Sequence, residues 1–172
     1  LPNPTTPGRK IPEWFDGAID GSLKALWIFA EDVVQTDPNT HHVVKAMQSL
    51  DLLVVQEIFM SETAKMADVV LPGTTFLEKS GTFTNTERRI QQVNAAVKPL
   101  PGTKTDGQII VEMMRKLGFD QPDYDAAEDL KTVARVVSFF EGVTWEGLVA
   151  RPIGIKMAVS KKGDTTPIST IG

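Results

Sequence analysis

The 172-residue sequence contains no cysteine. That removes disulfides, thiolate nucleophiles, CxxC zinc sites and cysteine-ligated iron–sulfur clusters from the chemistry of this chain. No run of ~18 apolar residues is present, so no membrane-spanning helix is expected. Long basic runs are missing as well. The formal net charge is −4 and the Lys161-Lys162 pair is too short to hold a phosphate backbone, so nucleic acid is not an expected partner. Only two histidines occur, His41 and His42. Being adjacent in a helix they point to different faces, which is poor metal geometry, and no metal ligated by this chain is expected. The start, Leu1-Pro2-Asn3-Pro4, has neither an initiator methionine nor a basic-then-apolar leader, and reads as a product of processing, trimming or fragment expression.

What is present is an ordinary globular composition, 41% hydrophobic and 23% charged, in a length that suits one domain with an appendage. Residues 1–13, with four prolines, read as an extended lead-in. Trp14, Phe15, Ala18 and Ile19 recur at helical spacing, with Gly21 closing the helix. Lys24 to Phe29 is a continuous apolar run suited to a strand buried on both faces. The polar stretch Ala30 to Asp37 reads as a loop, and Asp37-Pro38 as the cap and first residue of a helix carrying Val43, Val44, Met47 and Leu50. A strand at Leu52 to Gln56, a short helix capped by Ser61 and a strand at Asp68 to Leu71 follow. Strand–helix–strand–helix–strand order implies a parallel sheet with right-handed crossovers.

Beyond Pro72-Gly73 the pattern weakens. Thr82 to Asn85 and Arg89 to Val93 alternate as short strands or extended loop, and Val97 to Gly102 is a break. Helices are expected from Asp106 to Gly118 and from Asp125 to Phe140, with one more turn at Trp145 to Val149. The expected class is α/β, three-layer, with a mainly parallel sheet, right-handed βαβ crossovers and a helical C-terminal part. The expected division is a lead-in at 1–13, an α/β cofactor-binding domain at 14–118, a helical extension at 119–150 and an irregular tail at 151–172.

Four places carry chemistry. Just past the first strand, Glu31 and Asp32 can accept hydrogen bonds from a ribose diol or a guanine edge, and Thr36 can meet phosphate. The same residues also serve as caps of the next helix. Gln56 ends the second strand with an amide that donates and accepts together, or simply faces solvent. Pro72-Gly73-Thr74-Thr75 ends the third strand in small residues and hydroxyls, as an anion nest or an ordinary turn. Thr105-Asp106 opens a helix, where an acidic residue is first of all a cap. Strand ends of this kind are where open α/β sheets bind ligands.

The tract Glu78-Lys79-Ser80-Gly81-Thr82-Phe83-Thr84-Asn85-Thr86-Glu87-Arg88-Arg89 and the loop Glu31-Asp32-Val33-Val34-Gln35-Thr36-Asp37 carry a resemblance. The sequence resembles the molybdopterin oxidoreductases that carry bis-molybdopterin guanine dinucleotide (the bis-MGD, DMSO reductase-type family), above all the formate dehydrogenase alpha subunit. The match is good over residues 8–120, loose to about 149, and fades after Arg151. The resemblance implies that Glu31, Asp32, Thr36, Gln56, Gly73, Thr74 and Asp106 contact the guanine dinucleotide arm of a molybdenum or tungsten cofactor. It implies no catalytic residue here, because the family's Cys/selenocysteine-His pair and its 4Fe–4S cysteines have no counterpart in these residues. The chain thus resembles an internal to C-terminal fragment. Its implied partners are the rest of a cytoplasmic catalytic subunit, bearing the 4Fe–4S and Cys/selenocysteine regions, and electron-transfer subunits. Ala30 and Val33 stand where related loops have Gly and Pro, and Gly107 where they have an aromatic. Those departures suit an alternative, a non-catalytic scaffold or nucleotide-binding relative such as the large cluster-bearing subunit of respiratory complex I.

Overall fold

A computed structural model describes residues 5–151 and 153–156. The chain divides after Gly73 into two compact units.

The first unit is a parallel sheet with helices. Its elements are α1 (Ile11–Ile19), β1 (Ala25–Phe29), α2 (Val33–Thr36), α3 (Thr40–Gln48), β2 (Leu52–Glu57), α4 (Glu62–Lys65) and β3 (Val69–Pro72). Strand order is β1-β2-β3, both pairings parallel, with Phe29 level with Gln56 and Gln56 level with Leu71. Parallel neighbours need a crossover between them, and the segments holding α3 and α4 supply the two crossovers. The α/β class and parallel sheet expected from the element order are what the chain forms.

Its core is continuous. Phe15 and Ala18 of α1, Val33 of α2, Val43, Ala46 and Met47 of α3 and Ala64 of α4 pack with Ile28, Leu53 and Val55 of the sheet. Leu26 and Val70 join the same cluster from the sheet side. In strands these positions alternate, so one face is covered. Trp27, Phe29, Leu52 and Val69 occupy the other face and stay 37–50% exposed. The expectation that Lys24 to Phe29 is buried on both faces therefore fails.

Other details of the reading also change. α1 begins at Ile11, inside the proline-rich lead-in, with Pro12 in its first turn, where a missing N–H is harmless. The polar loop contains the short helix α2, whose Val33 anchors it in the core. The cap of α3 is Asn39, whose side chain accepts from His42 N, and not Asp37, whose carboxylate accepts from Asn39 N at 2.8 Å. Ser61 caps α4 as expected, accepting from Ala64 N at 3.2 Å. His42 lies edge-on to Phe15 with Nε2 3.1 Å from Asp16 Oδ1, tying α3 to α1.

The second unit holds an antiparallel sheet and helices: β4 (Gly81–Thr84), β5 (Arg89–Val93), α5 (Asp106–Lys116), α6 (Ala126–Val136), α7 (Trp145–Val149) and β6 (Ile155–Lys156), with strand order β4-β5-β6. Both weak alternations are strands. The Glu-Arg-Arg signature closes their hairpin: Asn85 exchanges backbone hydrogen bonds with Arg88 and Arg89, and its side chain accepts from Arg89 N at 3.0 Å. Arg88 sits at φ 61 in that turn. Ile90, Leu130, Val143 and Leu148 form the core of this unit. The helix expected from Asp125 to Phe140 ends at Val136, and Ser138–Phe140 is a separate 3-10 turn. β6 was not legible in the tail. It pairs with β5 because Gly154, at φ 91, lets the chain pass within contact of the Ile90 carbonyl. Residues 157–172 of that tail lie outside the described residues.

Candidate functional site

The three parallel strands of the first unit end side by side. Ala30 N donates to Gln56 O at 2.9 Å and Gly73 N to Glu57 O at 3.0 Å, so the ladder continues one residue past β1 and β3 before the chains diverge. Ala30 achieves this at φ 51, in the left-handed region that disfavours side chains. The loop beyond it is braced twice. Thr36 Oγ1 donates to Glu31 Oε1 at 2.6 Å on the exposed side. Asp32 turns inward: its Oδ1 accepts from Thr63 N at 3.0 Å and from the Thr63 hydroxyl at 2.6 Å, and its Oδ2 from Glu62 N at 3.3 Å. The Thr63 hydroxyl in turn accepts from Val34 N at 3.1 Å. Burial raises the affinity of the Asp32 carboxylate for a proton. The hydrogen bonds from Thr63, Glu62 and Gln35 together outweigh it and hold the carboxyl below the usual range.

Of the residues singled out in this unit, Glu31 and Thr36 are exposed and bonded to each other, Asp32 serves as a brace between loop and helix, and Gly73 is buried. Gln56 is 1% exposed, which overturns the solvent-facing reading of that amide. It belongs to the same sheet side as Trp27 and Val54, directly between Phe29 and Leu71. Asp68 fixes the entry to β3, accepting from Leu53 N at 2.7 Å while its own N–H donates to Leu53 O at 2.9 Å.

In the second unit Thr74 is 2% exposed, and its Oγ1 has no hydrogen-bond partner among the described residues. A buried hydroxyl left without a partner is uncommon and asks for an explanation. Glu78, first of the signature residues, is a scaffold group. It accepts from Thr75 N at 2.8 Å and from Leu100 N at 3.0 Å, which hold its carboxyl below the usual range. Arg89 pairs with Glu87, Nε to Oε2 at 3.0 Å.

Thr105 and not Asp106 caps α5, in a box where Gln108 reaches back to Thr105 N at 3.0 Å. The Asp106 carboxylate pairs with Lys79, both partly exposed. Lys79 and Asp106 border a cavity of about 400 Å³ whose walls include Phe76, Phe83, Tyr124 and Leu130. Sequence reasoning singled out neither Tyr124 nor Lys79 as a site residue. The available signal was Gly107: glycine in the first turn of a helix is unfavourable, unless something must approach closely.

These strand ends and hydroxyls sit in a chain whose residues 2–116 match the model of the molybdopterin oxidoreductases. The chain belongs to that family. It is 44% identical over 148 residues to the F420-dependent formate dehydrogenase subunit alpha of Methanocaldococcus jannaschii, covering 85% of this chain and 22% of that protein. A probable oxidoreductase of Bacillus subtilis is 43% identical over 148 residues, covering 86% of this chain and 15% of its own length. A putative formate dehydrogenase of Staphylococcus aureus is 42% identical over 141 residues, covering 82% and 14%. Among solved structures, acetylene hydratase from Pelobacter acetylenicus superposes with a TM-score of 0.61 at 24% identity, covering 78% of this chain and 19% of that one, which establishes the shared fold. The chain thus spans less than a quarter of the length of the curated relatives it matches.

Membership implies a molybdopterin cofactor carrying molybdenum or tungsten. The residues present fit such a group in one physical respect. The buried Thr74 hydroxyl, without a partner among the described residues, follows a strand end in the chain, where a ligand oxygen or N–H would complete it. Among the described residues no cluster of His, Cys, Asp or Glu is placed to hold a metal ion, and no helix is long and apolar enough to cross a membrane.

Proposed function

We propose that this chain is a molybdopterin guanine dinucleotide-binding segment of a formate dehydrogenase-type oxidoreductase. In the first unit Glu31, Thr36, Gln56 and Gly73 contribute contacts to the dinucleotide arm, and Asp32 fixes the loop that presents Glu31. In the second unit Thr74 and Asp106 contribute. Residues 14–118 act as the cofactor-binding domain and 119–150 as its helical extension. In the complete enzyme the cofactor's metal would be the acceptor of the two electrons that formate gives up, with a proton, on becoming carbon dioxide. Its ligands and the 4Fe–4S cysteines come from other parts of a cytoplasmic catalytic subunit, and this chain alone is inert.

The observation that carries the reading is Thr74, whose buried hydroxyl has no hydrogen-bond partner among the described residues. Support comes also from the formate dehydrogenase relatives and from the carboxylate and amide at helix and strand ends. Each supplies an acceptor or donor suited to ribose and guanine. The substrate assignment to formate rests on those relatives. Titration of the chain with GDP tests the nucleotide half: binding is expected, weakened about tenfold or more in Asp106→Asn. Absence of binding sinks it.

One observation favours the alternative of a non-catalytic scaffold or nucleotide-binding relative. Ala30 places a methyl at φ 51 on the loop where close backbone approach to a ligand calls for glycine. Ala30→Gly separates the two. A gain in GDP affinity marks a binding loop narrowed by the methyl, whereas a chain that binds no nucleotide with either residue is a scaffold.

A further inference from the structure

The cavity of the second unit has a wall that no motif announced. A Cβ added to Gly107 would lie 2.2 Å from Tyr124 Cε2, 2.3 Å from Cδ2 and 2.6 Å from Cγ. The tyrosine ring therefore rests directly on the glycine backbone, in the first turn of α5 and one residue from Asp106. No side chain at residue 107 leaves the ring in place, because real Cβ atoms do not approach that closely and the contact is with ring atoms rather than a flexible tip. Tyr124 and Asp106 both line the cavity, together with Lys79, Phe76, Phe83 and Leu130.

The chemistry of this lining is specific. Lys79 and Asp106, paired at the border, set a cationic donor beside an anionic acceptor. Guanine presents the complementary edge, a carbonyl oxygen beside two N–H groups, and every purine has a flat face that packs on an aromatic ring. The walls are otherwise mostly apolar, and the volume of about 400 Å³ lies within the range of small-molecule sites.

We infer that Tyr124 is the aromatic wall against which the base of the nucleotide packs, with Gly107 the residue that lets the ring reach the base, and with Lys79 and Asp106 reading the base edge. This deepens, and rests on, the dinucleotide reading given above. Burial, and then the charges of Asp129, Asp106 and Asp125, raise the phenol above its ordinary value, so at neutral pH the ring packs as a neutral aromatic face.

Tyr124 is the single tyrosine of the chain, which makes the test direct. The full chain labelled with 3-fluorotyrosine gives one ¹⁹F resonance. Saturating GMP is expected to shift it, and in Asp106→Asn the same shift is expected to need about tenfold more GMP. Tyr124→Phe should bind GMP within about twofold of the parent. Tyr124→Leu should weaken GMP and IMP equally, by about tenfold, since both purines lose the same stacking. Asp106→Asn should instead erase the preference for GMP over IMP, because IMP lacks the exocyclic amino group. GMP binding that depends on Asp106 but leaves the fluorine resonance unmoved, with Tyr124→Leu binding like the parent, overturns the role of Tyr124 while the dinucleotide reading stands. No GMP binding by the parent chain overturns both. Should Tyr124→Leu fail to fold, the fluorine signal of the unsubstituted chain still decides.

Discussion

Thr63 is bound twice by one oxygen of Asp32: its amide N–H and its hydroxyl both donate to Oδ1, at 3.0 and 2.6 Å. Thr63 itself is fully buried, and its hydroxyl passes the chain on by accepting from Val34 N. A residue that sequence places in a ligand loop thus locks that loop to α4. Removing the carboxylate leaves a buried hydroxyl and two N–H groups short of an acceptor. Asp32→Ala should therefore lower stability by about 2–3 kcal/mol, given that hydrogen bonds to charged groups contribute more than neutral ones. Urea unfolding measures this, and a change below about 0.5 kcal/mol would mean the brace is not structural.

The same pair sets a pH dependence. The folded-state proton affinity of Asp32 is depressed, so its contribution is fully present above the unfolded carboxylate value of ~3.9 and is lost as pH falls through the lower folded value. Stability of the parent chain should drop more steeply than that of Asp32→Asn between about pH 4 and pH 2. Unfolding midpoints at pH 5, 4 and 3 in both chains give the comparison. Parallel acid limbs would remove Asp32 as a contributor.

Ala30 lies in the left-handed region, where a side chain is strained and glycine is not. Ala30→Gly should raise stability by about 0.5–1 kcal/mol, the relief of strain exceeding the added freedom of the unfolded chain. A higher thermal midpoint is the expected result, and a lower one would show that the loop tolerates the methyl without strain.

The sheet was legible from the sequence because its signal is local. The runs at 26–29 and 52–55 mark strands by their shortness and their aromatic and β-branched content, and Ser61 and Gly118 punctuate helices through short-range chemistry. The exposed side of β1 was not legible. Trp27 and Phe29 look the same in sequence whether or not the described residues cover them. Asp32 shows a second limit. An acidic residue after a strand suits a ribose and a helix cap alike, and only the fold brings Thr63, thirty-one positions away, to its carboxylate. Thr74 and Gln56 are singled out by resemblance, and their burial could not be read from the polar residues around them. Tyr124 was missed because its meaning depends on Gly107, and contact across a loop leaves no periodic trace.

Thr74 allows a test in which two readouts move in opposite directions. Its hydroxyl is buried without a partner among the described residues, so the fold gains little from it while having stripped it of water. Thr74→Val should leave stability unchanged or raise it by up to about 1 kcal/mol, while GDP affinity falls. Calorimetric unfolding and GDP titration on the same preparation measure both. Loss of stability together with affinity would indicate that the hydroxyl has a structural partner after all.

Among the described glycines of the second unit, Gly107 leaves the least room for a Cβ, which would lie 2.2 Å from Tyr124 Cε2. Gly107→Ala gains helix propensity of up to about 1 kcal/mol on its own, yet forces the new methyl into the ring. Overpacking of this kind costs about 1–3 kcal/mol, so the net effect should be destabilising. In Tyr124→Leu the obstruction is smaller and flexible, and the same Gly107→Ala change should become neutral or stabilising. The double-mutant cycle therefore predicts a coupling of about 1–2 kcal/mol between the two positions, read from urea midpoints of the four chains. Additive effects would show that the ring does not rest on residue 107, and would take away the steric reason for glycine there.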